Sequence, residues 1–266
     1  MKKRVGLFCM LLSSLLLLDC GKVAITGRKQ MLFISSGQIT ALSEQSFQQV
    51  MEATQPSPNK SQSQMVEEVG RRMVMAVDAY MRNQGFEKQM DSYQWGFHLV
   101  QSPEINAFCL PNGKIVFYEG IMALTNTPDK IAVVMGHEIA HAIAQHGNER
   151  MSQQTLVETI GTLGNIFLAG EDEKKQWIFN TAYGLGSSYG VLLPYSRTHE
   201  YEADRLGLIF MAMAGYDIQQ APLFWEKMQQ QGGSKPPEFL STHPSDANRV
   251  AKIREVIPEA ETYRPK

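Results

Sequence analysis

The chain has 266 residues, a formal net charge of −2 and 43% apolar residues. The apolar share excludes disorder over most of the length, and the near-neutral balance leaves no electrostatic footprint for nucleic acid. No solenoid-type repeat is present, and the length suits one substantial domain or two small ones.

The first residues, Met1-Lys2-Lys3-Arg4, are basic and precede an apolar run from Val5 to Leu18. That pattern is a bacterial export signal, and the run is shorter than the roughly 20 residues a membrane span needs. Leu17-Leu18-Asp19-Cys20 matches a lipoprotein cleavage box at Leu17 and Cys20 and departs from it at Asp19, where a small residue is usual. The expectation is that residues 1–19 are removed, that Cys20 is lipidated, and that the chain is tethered in the periplasm to a bacterial membrane, the outer one. Cys109 then has no partner in the chain, so no internal disulfide is expected and Cys109 reads as a small apolar core residue.

Residues 20–60 form a tether and an N-terminal helical segment in this reading. Val23 to Ser36 is extended and lies on the domain, Ser36 to Met51 is helical, and Thr54 to Asn59 breaks the helix. From Ser61 to Asn83, the residues Met65, Val69, Met73, Ala76, Val77 and Tyr80 make one apolar stripe at helical spacing, as core packing requires. Tyr93 to Val100 alternates like a strand, with His98 packed within it rather than serving as a ligand. Asn112-Gly113 signals a tight turn between two strands. The product is a small antiparallel sheet whose edge can pair with an extended peptide, or a purely structural hairpin. Glu119 to Thr125 reads as a short helix.

The next segment holds the densest chemistry. Thr127 can cap a helix, Pro128 suits its first position, and Gly147 can end it. Within it stands His137-Glu138-Ile139-Ala140-His141. Residues four apart share a helix face, so the two imidazoles can hold one zinc ion. Glu138 lies beside the metal, where it can take a proton from a water held there and pass it to a leaving amine. A chance occurrence on an ordinary helix is the competing reading, so a third ligand decides. His146 does not qualify, because it stands about 140° around an ideal helix from His141; it reads as structural or exposed.

Met151 to Leu192 reads as helix-rich with glycine breaks, a solvated charged loop at Glu171 to Lys175, and a possible lid over Gly184 to Gly190. Further on, Glu200 and Asp204 are four apart on a predicted helix. One carboxylate can complete a His₂Glu site and the other can accept from a ligand imidazole; an exposed acidic face is the alternative. Glu202 falls on the solvent side in this reading. Ala221 to Gln231 and Ala247 to Val256 are further helices, and 258–266 is a polar, loosely held tail.

The combination of Asn106-Ala107-Phe108, Pro111-Asn112-Gly113, the HEIAH core, Ser196-Arg197, Glu200, Asp204 and Thr242-His243-Pro244 resembles the HtpX/BepA-type zinc metallopeptidases. These are gluzincins related to the CAAX prenyl proteases and the mitochondrial protease OMA. The likeness runs from about Gln94 to Arg249, and Asn112 replaces a glycine frequent in the family. It implies an α+β, mostly helical zincin-type metallopeptidase domain over 61–257, with one Zn2+ per chain held by His137, His141 and Glu200. Glu138 would be the general base, Asp204 would orient His137 or His141, and Asn106 and Ala107 would lie on the substrate-pairing strand. His243 would stand near the metal, either as an oxyanion donor or as a fourth ligand in a latent form, and Arg249 would pair with a site carboxylate. The implied activity is an endopeptidase acting on unfolded or misfolded polypeptide, with outer-membrane assembly proteins as possible partners. The alternatives are a zinc-containing periplasmic chaperone with little proteolysis and a zinc hydrolase of non-peptide amides.

Overall fold

The computed structural model describes residues 20–170, 172–187, 193–231, 237–243 and 248–265. The expected export signal lies outside them, as do 188–190 of the expected lid. The fold is α+β and mostly helical. An N-terminal hairpin, β1 (Cys20–Lys22) and β2 (Lys29–Met31), precedes α1 (Ser36–Ala53). Ser35 and Gln38 close a capping box on α1, which satisfies backbone donors that a helix start otherwise leaves unpaired. Val23 and Ala24, expected in a tether, are buried in the main core.

Helix α2 (Lys60–Asn83) buries Val66, Val69, Gly70, Met73, Val77 and Met81. Met65, Ala76 and Tyr80 of the predicted stripe flank this face, partly buried. After the short α3 (Glu87–Met90) come β3 (Gly96–Val100), β4 (Ala107–Cys109) and β5 (Lys114–Tyr118). The sheet is not purely antiparallel, as expected, but mixed, with order β3-β5-β4: β5 pairs parallel to β3 and antiparallel to β4. Ile115, Val116 and Phe117 are fully buried, which suits β5 to the central position. The turn back from β4 uses Gly113 at φ +90°, a conformation that favours glycine.

A 3₁₀ turn (Glu119–Ala123) leads into α4 (Pro128–Ile143), with Thr127 accepting from the Lys130 amide. Gly147 does not end α4. Gln145 takes the left-handed conformation, φ 55°, and α5 (His146–Phe167) starts immediately after it. Gly161 and Gly164, expected as breaks, lie inside α5; Gly164 faces the Phe179 ring of α6 (Glu173–Ser187), where an added Cβ would come within 2.2 Å. Then follow α7 (Leu193–Met213), α8 (Gln220–Gln230), α9 (Glu238–Thr242) and α10 (Arg249–Glu261). The expected loose tail begins as helix and is held: α10 continues through Pro258 to Glu261, Ala260 is buried, and Tyr263 packs edge-on against Tyr80 at 5.8 Å. Among the described residues, no helix is long and apolar enough to cross a membrane.

Helices α4 and α7 meet through Gly136 and Gly207. A Cβ on Gly207 would stand 2.9 Å from the His137 amide nitrogen and 3.0 Å from the Gly136 carbonyl carbon. Rigid backbone atoms cannot give way as a flexible side chain can. Gly207→Ala should therefore destabilise the protein by about 1–3 kcal/mol in urea denaturation; wild-type stability would show that the helices approach less closely.

Candidate metal centre

The crossing sets two faces against each other. From α4 come His137, Glu138 and His141, and from α7 come Glu200 and Asp204. His243, at the end of α9, enters from above, and Arg249 comes from the start of α10. His137, His141, Glu200 and His243 bring one ligand atom each to within 4.8 Å of one another. His137 Nε2 lies 3.1 Å from His141 Nε2 and 3.3 Å from Glu200 Oε2, and His141 Nε2 lies 3.4 Å from Glu200 Oε1. His243 Nδ1 lies 3.1 Å from His137 Nε2 and 3.2 Å from Glu200 Oε2.

These separations suit a tetrahedral cation. Ligands about 2.05 Å from zinc at tetrahedral angles stand about 3.3 Å apart. The hydrogen bonds agree. His137 Nδ1 donates to Asp204 Oδ1 at 2.9 Å, and the Nδ1 atoms of His141 and His146 are 2.9 Å apart. With each Nδ1 engaged, both Nε2 atoms can direct lone pairs at the same point, which repel unless a cation sits there. Charge agrees too. Glu138, Glu149, Glu200, Glu202 and Asp204 are buried carboxylates, and the guanidiniums that pair with them are Arg28 and Arg249. Buried charge without compensation is strongly unfavourable.

Asp204 settles on His137 rather than His141. Arg249, fully buried, clamps it with Nε–Oδ2 at 2.7 Å and Nη2–Oδ1 at 2.8 Å, and stacks 3.4 Å from the Trp225 ring centre. Burial alone would lower the His137 pKa, but the hydrogen bonds to Asp204 and Glu200 carry it up to about 9. Glu200 is held well below the usual carboxylate range; burial opposes this, and the charges of His243 and His141 outweigh it.

Glu138 is the catalytic candidate. Its Oε2 accepts from the Cys109 amide of β4 at 2.9 Å. Among the described residues its Oε1 makes no hydrogen bond and lies 3.4 Å from His243 Nε2. Burial raises its pKa against the pull of His243 and His137, as suits a group that must take and return a proton. The Cys109 thiol is pushed well above its usual value by burial, with the Glu138 charge adding to it; a reactive thiolate is disfavoured.

Strand β4 is a sheet edge beside this site. Its pairing alternates, with Leu110 N donating to Lys114 O and Tyr118 N to Asn106 O. The backbone groups of Ala107 and Cys109 therefore point away from β5. Ala107 and Asn106 are buried, so the surface facing the cavity is Phe108 to Pro111. That cavity, about 1030 Å3, reaches from Glu138, His141 and His243 to Leu32, Ile39 and Leu42.

Two side chains stand elsewhere than helix geometry predicts, although His146 is structural and outside the group of ligand atoms, as one of its two expected readings has it. His146 is neither exposed nor remote, because the helix stops at Gln145 and the left-handed residue folds His146 back onto His141. Glu202 is not on the solvent side. The β1–β2 hairpin covers it, and it accepts from His146 Nε2 at 2.9 Å and Arg28 Nε at 2.7 Å. Both lay beyond a reading that assumed one ideal helix and an uncovered face.

Nearby, Glu149 accepts from Arg28 and His199. Burial would raise its pKa, but the hydrogen bonds from His199 and Arg28 bring it to about 2, against an ordinary 4.5. A depressed folded-state value stabilises the fold above about pH 4.5, and the stabilisation drains as pH falls toward about 2. Glu149→Gln should lower stability at pH 7 yet lose less on acidification, measured by denaturation of metal-free protein. An unchanged acid slope would contradict the pairing.

The model for Peptidase family M48 matches residues 60–257. The chain is 36% identical over 177 residues to the mitochondrial metalloendopeptidase OMA1 of Schizosaccharomyces pombe, covering 66% of this chain and 50% of that protein. It is 32% identical over 252 residues to the mitochondrial metalloendopeptidase OMA1 of Homo sapiens, covering 89% and 45%. The beta-barrel assembly-enhancing protease of Escherichia coli is 32% identical over 163 residues, covering 59% and 33%. The chain thus spans half or less of the length of these relatives. The expected periplasmic address is overturned: the relatives from S. pombe, Bos taurus, Homo sapiens and Saccharomyces cerevisiae are mitochondrial proteins.

Proposed function

The chain belongs to peptidase family M48, and on that premise we propose that it is a zinc-dependent metalloendopeptidase acting on unfolded polypeptide. The carrying observation is the convergence of His137, His141 and Glu200 at metal-ligand spacing, with buried Glu138 beside them. Zinc, when bound, supplies a Lewis acid that polarises a carbonyl and acidifies water.

The remaining work falls to the protein. The Ala107 and Cys109 amides are taken by Asn106 Oδ1 and Glu138 Oε2, so an extended peptide can donate its own amides to the outward carbonyls of β4 at these two residues, which brings a scissile bond past Glu138. Only an unfolded or locally unfolded chain offers such a backbone. Glu138 Oε1 is free to take the proton of the attacking water, while the Cys109 amide holds Oε2. The same Oε1 then returns the proton to the leaving amine nitrogen. Asp204, clamped by Arg249, keeps His137 in one tautomer throughout.

Glu138→Gln should retain zinc but lose casein cleavage by about 10³-fold; retained cleavage would refute the base assignment.

His243 occupies the place where a catalytic site keeps an opening. Its Nδ1 stands at ligand spacing from His137 and Glu200, giving the closed four-ligand set typical of structural sites. In our reading it is a latch that substrate displaces. His243→Ala should keep zinc on three ligands and cleave casein faster than wild type. A loss of about 10²-fold would instead make His243 an oxyanion donor.

A further inference from the structure

Residues 20–35 precede the segment matched by the family model, which begins at residue 60. They nevertheless reach the metal centre. Between β1 and β2 the chain turns tightly, with Val23 N donating to Arg28 O and Gly27 N to Val23 O, both at 2.9 Å. Ile25 in this turn has φ 69°. A β-branched residue resists that conformation, so surrounding contacts must impose it. Burial of Val23 and Ala24 in the main core anchors one side of the turn.

The other side projects two side chains beneath α7. The Thr26 hydroxyl donates to Glu202 Oε1. Arg28 divides its guanidinium between two acids: Nε donates to Glu202 Oε2 at 2.7 Å, and Nη1 and Nη2 donate to Glu149 at 3.0 and 2.7 Å. Glu202 Oε2 accepts from His146 Nε2 at 2.9 Å. With that proton on Nε2, His146 Nδ1 is an acceptor, and it faces His141 Nδ1 at 2.9 Å. His199 stacks on His146 with 4.2 Å between ring centres and donates to Glu149. The direction of donation is therefore fixed along the whole row: His141 to His146 to Glu202, with Arg28 as the counterion at its end. This is the counterpart, for His141, of what Asp204 and Arg249 do for His137.

We propose that Arg28 is a positioning residue for His141, acting through Glu202 and His146, and that the Thr26–Arg28 turn is a strap built into the metal centre. The inference rests on the reading of His141 as a zinc ligand. Without the guanidinium, Glu202 and Glu149 lose their shared counterion, Glu202 is no longer held under His146, and the His141 ring loses its fixed tautomer. Partners of this kind are worth about 10–100-fold in metal affinity.

The test is zinc affinity of the full chain, measured by competition with a chromogenic chelator, together with the visible absorption of the cobalt-substituted protein. Arg28→Met should bind zinc about 10–100-fold more weakly and shift the cobalt bands. Arg28→Lys should fall between it and wild type, because an ammonium cannot fork between two carboxylates. In a His146→Ala background, Arg28→Met should cost no further affinity, since the row is already cut. Wild-type affinity and spectrum for Arg28→Met, or an undiminished loss in the His146→Ala background, would overturn the proposal. Should Arg28→Met fail to fold, Thr26→Val decides: about 3-fold weaker zinc binding is expected from the lost hydrogen bond, and unchanged binding would overturn it. Absence of zinc from the wild-type protein would remove the metal centre itself, a failure distinct from that of the row.

Discussion

The centre depends on the close approach of two helices. At Gly136 and Gly207, α4 and α7 lie near enough that no side chain fits between their backbones. That contact sets His137 and His141 opposite Glu200 and Asp204 at distances a single ion can bridge. Helix spacing alone places each pair on its own face; only the crossing makes the faces meet. A Cβ at either position would meet the opposing backbone at 2.8 to 2.9 Å, so a larger residue there forces the two faces to shift.

Gathering this many acids in a core is costly, and the protein meets the cost with paired supports. On one side Asp204 holds His137 and is itself held by Arg249, which stacks on Trp225. On the other side His146 holds His141, Glu202 holds His146, and Arg28 holds Glu202. Each imidazole is thus fixed through its Nδ1, leaving Nε2 for the metal. The supports come from opposite ends of the chain, α10 and the β1–β2 hairpin. The hairpin thereby becomes a structural part of a site whose ligands lie more than a hundred residues away.

Much of this was legible in the sequence. The HEIAH spacing and the helix capped by Thr127 follow from local rules that hold here, whereas Glu200 and Asp204, four apart, could by local rules equally make an exposed acidic face and gain their role only through the family resemblance. The strand edge before the metal helix was also visible, although its central partner is parallel to β3 because β5 is the most buried strand. Two misplacements share one cause. Ideal helices with uncovered outer faces put His146 away from His141 and Glu202 in solvent. A single left-handed residue, Gln145, and a hairpin arriving from far away in sequence reversed both placements. Long-range cover of this kind leaves no local signature.

What surrounds the ion decides whether these side chains form a metal centre. X-ray absorption at the zinc edge of zinc-loaded protein addresses this directly. It should show only nitrogen and oxygen ligands at about 2.0–2.1 Å, with outer-shell scattering from at least two imidazoles. A sulfur ligand at about 2.3 Å, or scattering from fewer than two imidazoles, would contradict it.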